Sequence, residues 1–196
     1  ALPDYEWYSV YQQLLFNEVE WGEILNLAAQ TKEVFLDLFD SYGVAILRAH
    51  LDVVRGVKFQ PSVLQNTSIW SALDEVDCRN LKFIVNLSGF EQDDAREVLF
   101  ELQRRFSPRV IFAEVGFQGY PTAANESGVH KIQFFKHELG LDVVFADHST
   151  PECEDGFAVS SAAVATGAAC IEKHVRNNNR EVKYDFQSAV TDDQYE

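Results

Sequence analysis

The stretch Asp142-Val143-Val144-Phe145-Ala146-Asp147-His148-Ser149-Thr150 decides the reading of this chain. Its apolar run Val143-Val144-Phe145 reads as a strand buried on both faces, as in a parallel sheet covered by helices. The run ends in an acid beside a histidine. A second stretch has the same design: Ala168-Ala169-Cys170-Ile171 runs into Glu172-Lys173-His174-Val175. In barrels and open α/β sheets, chemistry collects at the carboxyl ends of the strands. Two histidines at neighbouring strand ends, with Asp147 and Glu172 beside them, predict a divalent-metal site.

Further apolar, β-rich runs lie upstream: Val34 to Phe39, Gly56 to Phe59, Leu81 to Leu87 and Val110 to Phe117, with Asp142 to Ala146 and Ala169 to Glu172 completing the set. Helix-period segments separate them. Glu18 to Gln30 carries Trp21, Ile24, Leu25 and Ala28 at helical spacing, and Asp93 to Phe106 carries Ala95, Val98, Leu99 and Leu102. Gly128 to Leu139 and the small-residue-rich Ala158 to Thr166 are two more. Strict alternation of strand and helix predicts a parallel sheet with helices outside. The fold class expected is α/β of the (β/α)8 TIM-barrel type, incomplete, with about six βα units. Residues 1–196 form one barrel domain in this reading, lacking the first two strands and the last helix.

Composition sets limits. The chain has 196 residues, 46% hydrophobic, enough for one domain with a sizeable core. No run approaches the roughly 18 apolar residues of a membrane span, and no signal peptide is visible. The chain starts at Ala1 and contains no methionine, which reads as a fragment. A formal net charge of -15 argues against nucleic acid and anionic membrane surfaces. An anionic substrate must then rely on local cations, backbone N–H groups or a bound metal. Cys78, Cys153 and Cys170 lack metal-ligand spacing and read as reduced thiols in a cytoplasmic protein. The acidic run Glu152 to Asp155 reads as a solvated loop, and His50, His130 and His137 as surface residues.

Several of these segments, in order, resemble the N-acetylneuraminate (sialic acid) synthase family. Ala146-Asp147-His148-Ser149 is similar to its serine-aspartate-histidine-threonine motif, and Glu172-Lys173-His174 to its strand-eight motif. Tyr120-Pro121-Thr122 matches a tyrosine-proline-threonine motif after strand six. Lys58 falls on the fourth-strand lysine, and Phe35 to Asp40 matches the third-strand motif loosely. The family resemblance implies a (β/α)8 barrel that condenses phosphoenolpyruvate with an N-acetylated sugar aldehyde to give a nonulosonic (sialic-type) acid. It implies a divalent metal, Mn2+ or Mg2+, on His148 and His174. Neutral imidazoles suit such an ion and leave positions open for substrate. It also implies catalytic roles for Glu172 and Asp185, and substrate contacts from Lys58, Tyr120, Gln118 and Asp147. The partners expected are phosphoenolpyruvate and an amino-sugar substrate, with neither nucleic acid nor membrane, in a cytoplasmic homodimer.

Plainer readings stand beside these. A lone strand-end histidine is ordinarily structural, Lys58 alone is a solvated lysine, Glu172 has Lys173 to pair with, and a tyrosine before proline is a common turn arrangement. There are also departures from the family pattern. Val63 stands where the fourth-strand motif has an acid, Leu87 where the fifth strand has a hydroxyl, and Ala146 replaces a serine. Glu114 and Val115 occupy positions commonly held by histidine and cysteine, and Gln118 an asparagine position. A pocket relined by Val63, Leu87 and Ala146 loses hydrogen-bonding groups, and such groups are what give a site its discrimination. The alternative function is therefore a catalytically degenerate barrel domain that binds a sugar or a protein or supports assembly. A different barrel aldolase is a third reading.

Overall fold

The computed structural model describes residues 8–151, 157–178, 182 and 184–195. Cys153 and the acidic run 152–155 lie outside them. Helices α1 (Tyr8–Gln13) and α2 (Glu18–Ala29) lead into β1 (Val34–Leu38), followed by α3 (Ser41–Ala49) and β2 (Val54–Phe59). Then come α4 (Pro61–Leu64), α5 (Thr67–Leu73), β3 (Lys82–Asn86), α6 (Gln92–Phe106) and β4 (Val110–Val115). The rest is α7 (Lys131–Glu138), β5 (Asp142–Ala146), α8 (Ala158–Thr166), β6 (Cys170–Glu172), β7 (His174–Arg176), β8 (Ala189–Thr191) and α9 (Asp192–Tyr195). Strands β1 to β6 form one sheet in sequence order, every pair parallel, and β7 and β8 form a separate parallel pair. This is the topology of a (β/α)8 barrel with six of its strands.

Local chemistry explains the elements. Asn17 caps α2 through a capping box with Glu20, and the Asp40 side chain accepts from the Gly43 N–H at 2.8 Å to start α3. Helix α6 has Asp93 and Asp94 in its first turn and Arg104 and Arg105 in its last, matching the helix dipole at both ends. Gly128 sits at φ 68, a turn conformation, so α7 begins at Lys131 rather than at Gly128 as the periodicity predicts.

The two faces of the sheet differ. Leu38, Val57, Phe83, Val85, Ala113, Val143 and Phe145 point at the helices and are fully buried. Phe35, Ile84 and Phe112 alternate with them on the concave face and are only half-buried. Val63 and Leu87 belong to the helix-side core, which corrects the expectation that they reline a pocket. Leu87 directly follows the inward-facing Asn86, so strand alternation turns it outward.

The sheet is strongly curled, as one contact shows. Lys58 on β2 and Glu172 on β6 are four inter-strand steps apart, about 19 Å in a flat sheet. Yet the Lys58 Nζ lies 2.6 Å from Glu172 Oε1. Two side chains of that length meet only across a concavity.

Candidate active site at the strand ends

The mouth of the concavity is built from the carboxyl ends of all six strands. Lys58 sits on the inward face of β2, and its ammonium is shared. Glu172 takes it through both carboxylate oxygens, at 2.6 and 2.7 Å, and Glu114 Oε2 lies 2.9 Å away. Glu114 is inward-facing on β4 and 0% exposed, and its Oε1 has no hydrogen-bond partner. Burial first, then the nearby Glu172, pushes the Glu114 carboxyl up to about 8 against the opposing pull of Lys58. Burial works against the charge on Lys58, but Glu114 and Glu172 outweigh it and lift its pKa above the ordinary lysine value. At the mouth on β1, Asp37 accepts from Gln60 Nε2 at 2.7 Å and is raised to about 6, chiefly by desolvation.

The two predicted metal histidines come together. His148 follows β5 by two residues and His174 follows Glu172 by two, so both emerge at adjacent strand ends. Their ring centroids are 4.8 Å apart. Tyr120 packs edge-on against both, at 4.9 and 6.0 Å, and Phe117 lies 4.7 Å from His148. Burial, then His174, lowers the His148 pKa to about 4, so its imidazole is neutral at neutral pH. Its Nδ1 is buried with no hydrogen-bond partner. A neutral, desolvated imidazole beside a second one is the donor chemistry a divalent ion needs, so these residues fit such an ion. Among the described residues no group of three His, Cys, Asp or Glu side chains is placed to hold a metal ion.

The remaining predicted residues divide. Asp147 is 1% exposed and its carboxylate is fully engaged. It accepts from the Ser149 N–H at 2.8 Å and Ser149 Oγ at 2.5 Å and from the Ser160 hydroxyl of α8, and it pairs with Lys173 at 3.2 Å. Burial alone would raise its pKa, but these bonds hold it below the usual carboxylate value. Asp147 therefore fastens the loop that carries His148. Gln118 donates through Nε2 to the Ser88 carbonyl at 3.1 Å, and Lys131 Nζ reaches the same oxygen at 2.5 Å. Gln118 thus ties the loop after β4 to the loop after β3. Asp185, at φ 55, is exposed, and burial first, then the nearby Asp185, raises the pKa of the Tyr120 hydroxyl.

Sequence reasoning noted Glu114 only as a departure from the family pattern, and passed over Phe117 and the chain from Asn86 through Gln60 to Asp37, where Asn86 Nδ2 donates to Gln60 Oε1 at 2.9 Å. The signal for Glu114 was there: a lone acid in an apolar run two residues before a glycine. Gly116, at φ 116, ends β4, and a Cβ on it would stand 2.7 Å from the Ala146 carbonyl oxygen.

Comparison with known proteins bears on the fold and the family. The chain superposes on the Chromobacterium violaceum ATCC 12472 protein that carries the name spore coat polysaccharide biosynthesis protein E, with a TM-score of 0.78 at 17% identity, over 98% of this chain and 55% of that one. It superposes on the N-acetylneuraminic acid (sialic acid) synthetase of Leptospira borgpetersenii serovar Hardjo-bovis at 0.73 and 18% identity, over 96% and 62%. A truncated 3-deoxy-D-arabino-heptulosonate 7-phosphate synthase from Thermotoga maritima gives 0.72 at 11%, over 92% and 68%. At these identities the likeness speaks for the fold. The chain spans 55% and 62% of the lengths of the first two. Among curated proteins, none matches the sequence. The model of the NeuB family matches residues 91–196, the part that carries Glu114, Tyr120, His148, Glu172, His174 and Asp185. With both strand-end histidine motifs inside that match, the chain belongs to the NeuB family, as a divergent sialic acid synthase-like member.

Proposed function

We propose that this pocket joins phosphoenolpyruvate to an N-acetylated sugar aldehyde, forming a carbon–carbon bond and giving a nonulosonic acid. The observation that carries the reading is the His148–His174 pair, 4.8 Å between ring centroids, at adjacent strand ends inside the matched family region. A divalent ion held by these imidazoles would polarise the aldehyde oxygen of the acceptor sugar. The enol carbon of phosphoenolpyruvate attacks the carbonyl carbon, water adds to the resulting cationic carbon, and phosphate leaves. Lys58, kept charged by its carboxylate neighbours, is the cation for the carboxylate or phosphate of phosphoenolpyruvate. Glu172, with its side chain 30% exposed, can turn from Lys58 toward the reacting sugar oxygen and handle its proton. In this reading Asp185 and Tyr120 bind the sugar hydroxyls. The cytoplasmic location and homodimer implied by the family resemblance go with this reading.

A second reading, a barrel-derived sugar- or protein-binding module without turnover, draws on one observation. The Lys58 ammonium and the Asp147 carboxylate are both occupied by protein partners. Phosphate release from phosphoenolpyruvate, measured with Mn2+ and N-acetylmannosamine present, decides between them. Acceptor-dependent release that falls by at least about a hundredfold in His148→Ala supports synthesis. Mn2+ binding with no turnover leaves the binding module.

A further inference from the structure

Lys173 stands between Glu172 and His174, and nothing in the proposed chemistry uses it. The β5–β6 ladder ends with the pair Ala146 and Glu172, and one further backbone bond runs from the Asp147 N–H to the Glu172 carbonyl at 2.9 Å. At Lys173 the chain changes partner. From His174 onward it is β7, whose ladder runs to β8 and not to β5. His148 and His174 therefore lie just beyond the last rung that joins their strands.

The Lys173 side chain takes over where the ladder stops. Its Nζ donates to the Ser149 carbonyl at 2.8 Å and lies 3.2 Å from Asp147 Oδ1. Asp147 and Ser149 flank His148, and Lys173 directly precedes His174. The His148 segment is fixed on its own account: Asp147 is held by Ser149 and by Ser160 of α8, and the His148 carbonyl accepts from the Thr122 N–H at 2.9 Å. Lys173 fastens the His174 segment to it. The ion pair is enclosed, with side-chain exposures of 8% for Lys173 and 0% for Asp147. A buried ion pair seldom stabilises a fold more than apolar side chains of similar volume, and its best-attested use is to fix one register.

We propose that Lys173 is a positioning residue: through Asp147 and the Ser149 carbonyl it sets the separation and mutual angle of the His148 and His174 rings, 4.8 Å between centroids at 67°, and so the affinity of the pair for a divalent ion. This deepens the proposed function and rests on it for the ion, whereas the ring geometry is measurable without one. Outer groups that orient metal-ligating side chains are worth about 10- to 100-fold in metal affinity. Charge alone predicts the opposite sign, since removing a cation beside a cation site should tighten binding.

The test is Mn2+ titration of the whole chain by electron paramagnetic resonance, together with the NMR cross-relaxation peak between the His148 and His174 ring protons in the metal-free chain. Lys173→Met should weaken Mn2+ binding about 10- to 100-fold and reduce the cross-peak. Lys173→Arg, which keeps donors for both oxygens, should recover most of both. Where Lys173→Met does not fold, because Asp147 is left buried and unpaired, the double variant Lys173→Met/Asp147→Asn removes both charges and leaves the net charge unchanged. It should unfold near the wild-type denaturant midpoint and still show the weaker binding and the reduced cross-peak. Unchanged or tighter Mn2+ binding in a folded variant overturns the proposal, and so does an unchanged cross-peak. If the wild type binds no Mn2+, the metal reading fails separately, and the cross-peak comparison alone decides the role of Lys173.

Discussion

Glu114 is fully buried beside Lys58 and Glu172, and its effect on stability has a definite sign. Its folded-state pKa is above the ordinary 4.5, so the folded chain holds a proton that the unfolded chain has already released. Between about pH 4.5 and pH 8 the folded state binds more protons, and stability must fall as pH rises. Denaturant unfolding of Glu114→Gln should therefore show a flatter decline than wild type across this window and a higher unfolding free energy at its alkaline end. A second residue-level test concerns the thiols. Cys78 is buried, and burial first, then Asp77 and Asp74, pushes its pKa up to about 12. Cys170 is exposed at the start of β6. Maleimide labelling of the folded chain followed by peptide mapping should modify Cys170 and leave Cys78 free until denaturant is added.

Strands and helices give sharper mechanical predictions, because the sheet presents the same residue type in two environments. Phe83 lies on the helix side of β3 and Phe112 on the concave side of β4. Phe83→Ala should cost about 3–5 kcal/mol in chemical denaturation, as for other buried aromatics. Phe112→Ala should cost much less, since its ring is already partly in water. The turn after β4 sets a different constraint. Gly116→Ala places a methyl against the Ala146 carbonyl at a backbone angle that disfavours any side chain, and a loss of about 1–3 kcal/mol is expected.

The same alternation explains what was readable beforehand. Asp142 to Ala146 and Ala158 to Thr166 coincide with β5 and α8 because a pure apolar run and a small-residue helix carry their own periodicity. Helices α3 and α5 went unread, since Ser41–Ala49 and Thr67–Leu73 are short and take their definition from the caps Asp40 and Asn66. Strands β7 and β8 have three residues each, too few for a period, and pair only because the chain returns. The histidine pair was legible from its repeated strand-end setting. The partnership of Lys58, Glu114 and Glu172 was not, because it depends on how far the sheet bends.

Among the described residues, the six-stranded sheet is bent, with helices on its outer side and β1 and β6 as its edge strands. Its concavity of about 720 Å³ is lined by Phe35, Ile84, Phe112, Val144, Val175 and Val190 among others. An apolar surface of this kind binds hydrophobic dyes. Anilinonaphthalene sulfonate should fluoresce with the native chain, and Phe112→Asp should reduce that signal while leaving the circular dichroism spectrum unchanged. Among the described residues no helix is long and apolar enough to cross a membrane.

The Lys58–Glu172 bond has a mechanical consequence beyond its charge. It spans the hollow like a tie-rod between the limbs of an arch, joining strands that have three others between them. In the proposed function, a guest that captures the ammonium would release that tie, and loading the mouth would then relax the curvature. Occupancy should then be felt at the far strand, where the Asp147 belt to Ser160 hands any flexing of β6 and its neighbours on to helix α8.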